Sequence, residues 1–371
     1  MRVLLAGNQP QDRERGRKAA LRAGLECAAT DCVPLADLRL RLAREPGVQL
    51  VVVYWDGEPD AAARAIKAAA EQTRQPIYAV TGADPTAHES AAAAGVAGVW
   101  AAERVQEELV QTADALRRAG KAPDNRGRFV VVTAAQAGTG VTTVATGLAF
   151  ALAKPGPAVL AELGTGTPSV ALNLNLEPRY SLAELIRESE RVDVSMLREA
   201  VTRHAAGADI LAYTQEAVTA EPITPQVARD FQVLLRSAFA WTVVDGGHGV
   251  GPGNENLFTH ADAVIVVTRL DPPSLRLTRR QVLALADRGV PVDAVSVVAN
   301  RYGQSGLVPW ANAEESLRTK VAAWLPDDPS AVNRALRDGR PLVEVAKWGK
   351  LTRKLGKLAA AIQTRLTTPA R

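Results

Sequence analysis

The stretch Gln136-Ala-Gly-Thr-Gly-Val-Thr-Thr143 has the residue types and spacing of a loop that holds phosphate. Gly138 and Gly140 free the backbone around Thr139, so that successive N–H groups can point at phosphate oxygens at a helix N-terminus. Thr142 stands where a hydroxyl holds Mg²⁺, with Thr143 beside it, while Val141 occupies the position that such loops give to lysine. About 100 residues on, the apolar run Trp-Thr-Val-Val ends in Asp245, the place from which a carboxylate reaches magnesium through water. Read alone, 138–143 also suits a bare strand-to-helix turn. Its pairing with Asp245 favours nucleotide.

Such a loop works only between a strand and a helix, and the sequence supplies both: "FVVVTA" (129–134) precedes it and an amphipathic helix follows from Thr142. Further buried apolar runs at 158–163, 208–213, 241–246, 263–269 and 295–301 predict a large α/β domain. Residues 2–7, 48–55, 76–82 and 96–100 are shorter runs of the same kind, alternating with helical stretches at 12–24, 34–45, 60–73 and 86–94. A fifth strand near Cys27-Ala-Ala-Thr30 would complete a doubly wound, five-stranded domain. The Gly, Pro, Asn and charge density of 117–128 marks a linker, giving domains at 1–116 and 129–371.

Composition excludes several classes. The 371 residues carry a net charge of +4, a mild excess that does not argue for nucleic acid, and neither a helix-turn-helix nor a zinc spacing supports that partner. Cys27 and Cys32 are too few for a disulfide framework, so a reducing compartment fits best. Neither a signal peptide nor an eighteen-residue apolar span is read, which predicts a cytoplasmic protein.

The second domain resembles the deviant-Walker MinD/ParA-type ATPases and, within them, the CpaE/TadZ-like proteins of Flp (Tad) pilus assembly. Against that family's loop, Gln136 falls at the signature lysine and Val141 at the loop lysine. The stretch 158–186 is similar to the segment that carries the family's acidic pair, with Glu162 at the first position and Gly164 at the second. "TVVDGGHG" (242–249), "VANRYGQSG" (298–306) and the late segment 325–351 continue the likeness, which spans roughly 128–362. It implies ATP and Mg²⁺ as ligands, a homodimer, Glu162 and Asp245 as catalytic candidates, Thr142 and Asp245 at the metal, and Asn300 and Arg301 on the adenine side; Asn at a strand end also makes good loop contacts. It also implies a receiver-like (flavodoxin-like) first domain. A working receiver needs an acidic pair, a phosphoacceptor Asp, a Ser or Thr and a Lys. Asp56 and Thr81 match two of these, but the acidic pair falls on Gly7 and Asn8 and the lysine near Ala101, so the domain reads as a pseudo-receiver used for contacts.

Each missing lysine removes a charge-assisted hydrogen bond worth about 1.5–3 kcal/mol. Two such losses weaken nucleotide binding by about two to four decades. In the family the signature lysine reaches across the dimer to the partner's nucleotide, where Gln136 offers only a neutral contact. The expectation is therefore a localisation protein that docks other pilus or secretion components, binds ATP weakly or not at all, and hydrolyses it poorly. An active ATPase cycling between dimer and monomer, and a response regulator switched through Asp56, remain alternatives.

From Lys347 to Arg371 the chain carries seven cations and no acid, with Leu351, Leu355, Leu358 and Ile362 on one helical face. That pattern predicts a final helix covering the sheet. The alternative is a basic amphipathic helix held at the inner membrane, at a cell pole in the pilus reading.

Overall fold

The computed structural model describes residues 1–44, 47–55, 59–82, 85–118, 127–251, 254–304 and 307–367. Strands that are apolar on both faces must be covered on both, and two such sheets form in two compact units, Met1–Asn125 and Arg126–Arg371.

In the first unit the elements are β1 (Val3–Ala6), α1 (Pro10–Arg22), β2 (Cys32–Val33), α2 (Leu38–Arg44), β3 (Leu50–Tyr54), α3 (Pro59–Ala70), β4 (Ile77–Thr81), α4 (Pro85–Ala93), β5 (Gly98–Ala101) and α5 (Val105–Arg118). All the strands are parallel in the order β2-β1-β3-β4-β5, the order of flavodoxin-like sheets. Val3, Leu5, Leu50 and Val52 pack beneath α1 and α5, while Leu4, Ala6, Val51 and Val53 meet α2, α3 and α4. The edge strand lies at Cys32–Val33 and not near Cys27–Thr30 as expected. Ala29–Asp31 forms a 3₁₀ turn there, because the buried Asp31 carboxylate draws in the Ala28 N–H and the Arg2 guanidinium. Helix α5 runs through Arg118, two residues into the expected linker, and 119–126 lie outside the described residues.

The second unit begins with β6 (Arg128–Ala134), α6 (Val141–Leu152), β7 (Ala158–Ala161), α7 (Val170–Asn173), α8 (Leu182–Arg187), α9 (Val194–Ala200), β8 (Thr202–Arg203) and β9 (Asp209–Leu211). It continues with α10 (Pro225–Ala238), β10 (Trp241–His248), α11 (Glu255–Thr259), β11 (Ala263–Thr268), α12 (Pro272–Asp287) and β12 (Val295–Tyr302). The last elements are α13 (Trp310–Leu317), β13 (Val321–Pro326), α14 (Pro329–Asp338), α15 (Leu342–Val345) and α16 (Lys350–Thr367). The eight-stranded sheet has the order β13-β12-β11-β6-β10-β7-β9-β8, parallel except where β8 runs against β9. Val130, Val132, Val243 and Ile265 face α6 and α16; Phe129, Val131, Val244 and Val264 face α9 and α10. β13 escaped the sequence reading because it is an edge strand with exposed and half-buried positions rather than a continuous apolar run.

At the N-terminal end of β6, Arg236 is buried and bonded to the carbonyls of Gly127 (2.9 Å) and His260 (2.7 Å) and to the Asp262 carboxylate (2.6 Å). The same carboxylate accepts the Phe129 N–H at 2.7 Å, so the strand that carries the loop is pinned at its far end.

Helix α16 settles where the terminal leucines go. Leu351, Leu355, Leu358 and Ile362 are buried in the core beneath α6. The two helices pack so closely that a Cβ on Gly147 would lie 2.6 Å from Leu355 Cδ1. At about 1.5–3 kcal/mol per buried aliphatic side chain, the four contribute roughly 6–12 kcal/mol. Offering that face to lipid would forfeit this and wet the mating surface, so the leucines take the sheet-covering place that the pattern predicts first. Among the described residues no helix is long and apolar enough to cross a membrane.

Candidate nucleotide site

β6 lies between β10 and β11, and the chain leaves it toward β7 on one side while β11 stands on the other. Ligands of open α/β sheets bind at the carboxyl ends of strands where the order reverses in this way. The loop after β6 opens α6. Gly138 and Gly140 have φ of 75° and 96°, left-handed values that favour glycine, and Gly140 is the N-cap. Asn300, at the end of β12, donates from Nδ2 to the Thr139 carbonyl at 2.8 Å. A Cβ on Gly140 would collide with that amide, so glycine serves both the turn and the close approach.

The loop residues divide by direction. Val141 is buried in the core with Val144 and Ala145, where a lysine would have to turn back toward the loop. Thr139 is buried and donates from Oγ1 to the Gln136 carbonyl at 3.4 Å. Thr142 and Thr143 line a cavity of about 40 Å³ that is also bounded by Asn173, Leu336 and Arg340. The Gln136 amide donates to Ser274 Oγ at 2.6 Å. Ser274 in turn donates through its hydroxyl (2.9 Å) and its N–H (3.0 Å) to Asp271, the N-cap of α12. Gln136 is thus bonded within its own chain. The Asp-Pro-Pro-Ser run that opens α12 is a recognisable helix start, yet no sequence signal connected it to Gln136.

Asp245 is 5% exposed at the end of β10. Burial raises its pKa, opposed by hydrogen bonds from the Thr142 side chain and the Gly247 N–H. The structure therefore brings together the hydroxyl and the carboxylate that the sequence assigned to magnesium. Glu162 lies in the same crevice but is engaged by backbone: Oε1 accepts the N–H of Ser169 (2.6 Å) and Val170 (2.9 Å), and Oε2 that of Tyr213 (3.4 Å). Burial pushes its pKa up to about 7, the Ser169 and Val170 N–H groups pull it down, and the Asp245 charge pushes it up. Its carboxylate fixes the start of α7 and stands close enough to Asp245 to feel its charge.

At Gly164, where the family's second aspartate would stand, a Cβ would meet the backbone of Asp245, Gly246 and Gly247. The two segments are joined: Thr165 bridges to Gly247 in parallel fashion, and Thr165 Oγ1 donates to the His248 carbonyl at 3.1 Å. Gly249 N–H donates to the Ala134 carbonyl at 2.8 Å, closing the end of β10 onto β6.

Asn300 makes the loop contact that the sequence reading had set beside its adenine-side role. Arg301 beside it has φ of 56° within a register irregularity between β12 and β13, a conformation that side-chain-bearing residues seldom take.

In the first unit Asp56 lies outside the described residues. The positions expected for the acidic pair hold a cation: Arg13 Nη1 donates to the carbonyls of Gly7 and Asn8, the latter at 3.0 Å. Thr81 is buried and Ala101 exposed at the ends of β4 and β5.

No family model matches the chain. The septum site-determining protein MinD of Thermotoga maritima is 25% identical over 214 residues, covering 56% of this chain and 78% of that protein. A ParA family ATPase from Chlorobium tepidum superposes with a TM-score of 0.58 at 20% identity over 64% of this chain and 99% of that one. MinD from Pyrococcus horikoshii, solved with Mg-ADP, gives 0.53 at 22% identity over 65% and 98%. The chain thus carries the α/β fold and the sequence likeness of the MinD/ParA-type P-loop ATPase superfamily.

Proposed function

We propose that this protein is a MinD/ParA-like localisation scaffold of a Flp (Tad) pilus or related secretion system, whose nucleotide site binds ATP weakly and hydrolyses it slowly or not at all. The observation that carries this reading is where the family's three charged positions lead. Val141 is in the core, Gln136 is bonded to Ser274, and Gly164 is sealed against the end of β10.

The remaining residues fit a nucleotide with magnesium in part. Backbone N–H groups at the start of α6 would hold phosphate, and Thr142 and Asp245 would hold Mg²⁺. Magnesium, when bound, neutralises charge on the phosphoryl oxygens. Asn300 keeps the loop in shape, and the joined 164–165 and 245–248 segments hold the magnesium side of the site narrow. Neither loop position that the family gives to lysine places a cation there, and stabilising charge on the transferring group is worth a thousandfold or more in rate. The Mg-ADP in the Pyrococcus relative supports nucleotide as the ligand.

The first unit, with its flavodoxin-like strand order, is read as a receiver-like contact domain. Arg13 over Gly7 and Asn8 is the wrong charge for a magnesium-dependent phosphoacceptor.

Calorimetric titration with ATP and Mg²⁺, beside Asp245→Ala, tests the site. Weak binding lost in Asp245→Ala, with no turnover at high protein concentration, is the expected result. Turnover abolished by Thr142→Ala would make the protein an active ATPase instead, the reading favoured by the retained Thr142–Asp245 pair. For the pilus role, deleting the gene in its host should abolish pili, and complementation with Asp245→Ala should restore them at least in part; normal piliation in the deletion would overturn it.

A further inference from the structure

The nucleotide site makes no use of the chain's two cysteines, which lie in the first unit. Cys27 and Cys32 flank the 3₁₀ turn Ala29–Asp31, and their Sγ atoms are 3.9 Å apart. That is about 2 Å more than a sulfur–sulfur bond. Cys27 is buried, while Cys32 is partly exposed at the start of the edge strand β2. The two thiols are also unequal in acidity. The hydrogen bond from Cys27 and the nearby Arg17 guanidinium lower the pKa of Cys32 against the effect of burial. Its bond to Cys32 and its own burial raise that of Cys27. A partly exposed, more acidic thiol beside a buried one has the arrangement of an attacking and a resolving cysteine.

We propose that Cys27 and Cys32 form a reversible disulfide within the first unit, closed by a peroxide. The Cys32 thiolate attacks one peroxide oxygen; the O–O bond breaks, an S–O bond forms, and the departing hydroxide takes a proton to leave as water. The Cys27 sulfur, giving up its proton, then attacks Cys32 Sγ. The sulfenic oxygen leaves as a second water, so two thiols and one H₂O₂ become one disulfide and two waters.

The surrounding structure can take up the closure. β2 is two residues long and pairs only with β1, where Cys32 stands opposite Leu5. The movement is confined to 28–32, which contains the buried Asp31. That carboxylate holds Arg2 at 2.6 Å and Arg41 at 3.4 Å. Oxidation therefore bears on an ion cluster that ties β2 to the start of the chain and to α2.

The test is hydrogen peroxide added to the full-length protein, with free thiols, intact mass and non-reducing electrophoresis followed. Wild type should lose both thiols and about 2 Da, run as a single chain on the non-reducing gel with a closure rate independent of protein concentration, and recover its thiols on addition of a thiol reductant. Cys27→Ser should stop at a sulfenic acid that dimedone captures, and Cys32→Ser should react at least tenfold more slowly. Retention of both thiols, oxidation to sulfinic acid without a disulfide, cross-linked dimers as the main product, or equal rates in the two variants would each overturn the proposal. A second measurement does not depend on the variants folding. In glutathione redox buffers the effective concentration of the pair should be at least tenfold higher in the native chain than in urea, and an equal or lower native value would show that the fold does not hold the thiols for bonding.

Discussion

Asn300 Nδ2 donates to the carbonyl of Thr139 at 2.8 Å across 161 residues of chain, tying the end of β12 to the middle of the phosphate-type loop. The bond is buried, and its loss leaves a carbonyl without its donor. Asn300→Ala should cost about 1–3 kcal/mol in urea denaturation. Asn300→Asp, which puts a second acceptor against the carbonyl, should cost more. Equal stability of wild type and both variants would mean that the loop holds its shape without this contact.

Val141→Lys asks whether the loop regains its charge. The valine is 8% exposed, so the lysine stem must leave the core and reach the loop mouth. A loss of about 1–2 kcal/mol in stability is expected for the disturbed packing. Mg-ATP affinity should rise by roughly ten- to a hundredfold, the worth of one charge-assisted bond. A stable variant with unchanged affinity would show that the backbone cradle no longer accepts phosphate.

Gly164→Asp looks from the sequence like the matching repair, and the structure predicts the opposite. An aspartate Cβ there meets the backbone of Asp245–Gly247, which has no flexible side chain to move aside. The variant should lose about 2 kcal/mol or more, the range for overpacking, and should gain no turnover even when combined with Val141→Lys. Restored hydrolysis in the double variant would show that the two segments part readily.

How much of this was legible varies by element. Strands such as Phe129–Val132 and Ala263–Val267 are uniformly apolar because both faces are covered, and uniform apolarity survives in one dimension. Gly140 was legible as a turn, since its left-handed φ restricts the residue type. The bond from Gln136 to Ser274 was not, because contacts 138 residues apart depend on which strand lies beside β6. The sealing of Gly164 was hidden for the same reason: a missing aspartate reads as a vacancy until the backbone that fills it is seen. Helix α16 shows the reverse difficulty. Its pattern of leucines and cations is common to a core-packed helix and a lipid-bound one, and only the presence of α6 beneath Leu355 decides between them.

That decision is itself testable. Leu355→Ala opens a cavity against Gly147 and should cost about 2–5 kcal/mol. Sedimentation with anionic liposomes should be unchanged in the variant, because the side chain faces the core. Reduced liposome binding at unchanged stability would return the helix to the membrane.

Glu162→Gln tests the electrostatics of the crevice. The folded-state pKa of Glu162, about 7 against 4.5 for an unperturbed glutamate, means that the native chain holds this proton more tightly than the unfolded one. Stability from this group is therefore fully present below about pH 4.5 and is lost as pH rises toward and through 7. The shift corresponds to about 3 kcal/mol. Glutamine keeps an acceptor for the Ser169 and Val170 N–H groups but has no charge to bury. Urea denaturation of the variant between pH 5 and pH 8 should accordingly show a shallower fall in stability than wild type. Because the Asp245 charge adds to the shift, Asp245→Asn should bring the Glu162 titration to lower pH. Parallel pH profiles for wild type and Glu162→Gln would place the carboxylate in a far more polar setting than its backbone partners describe.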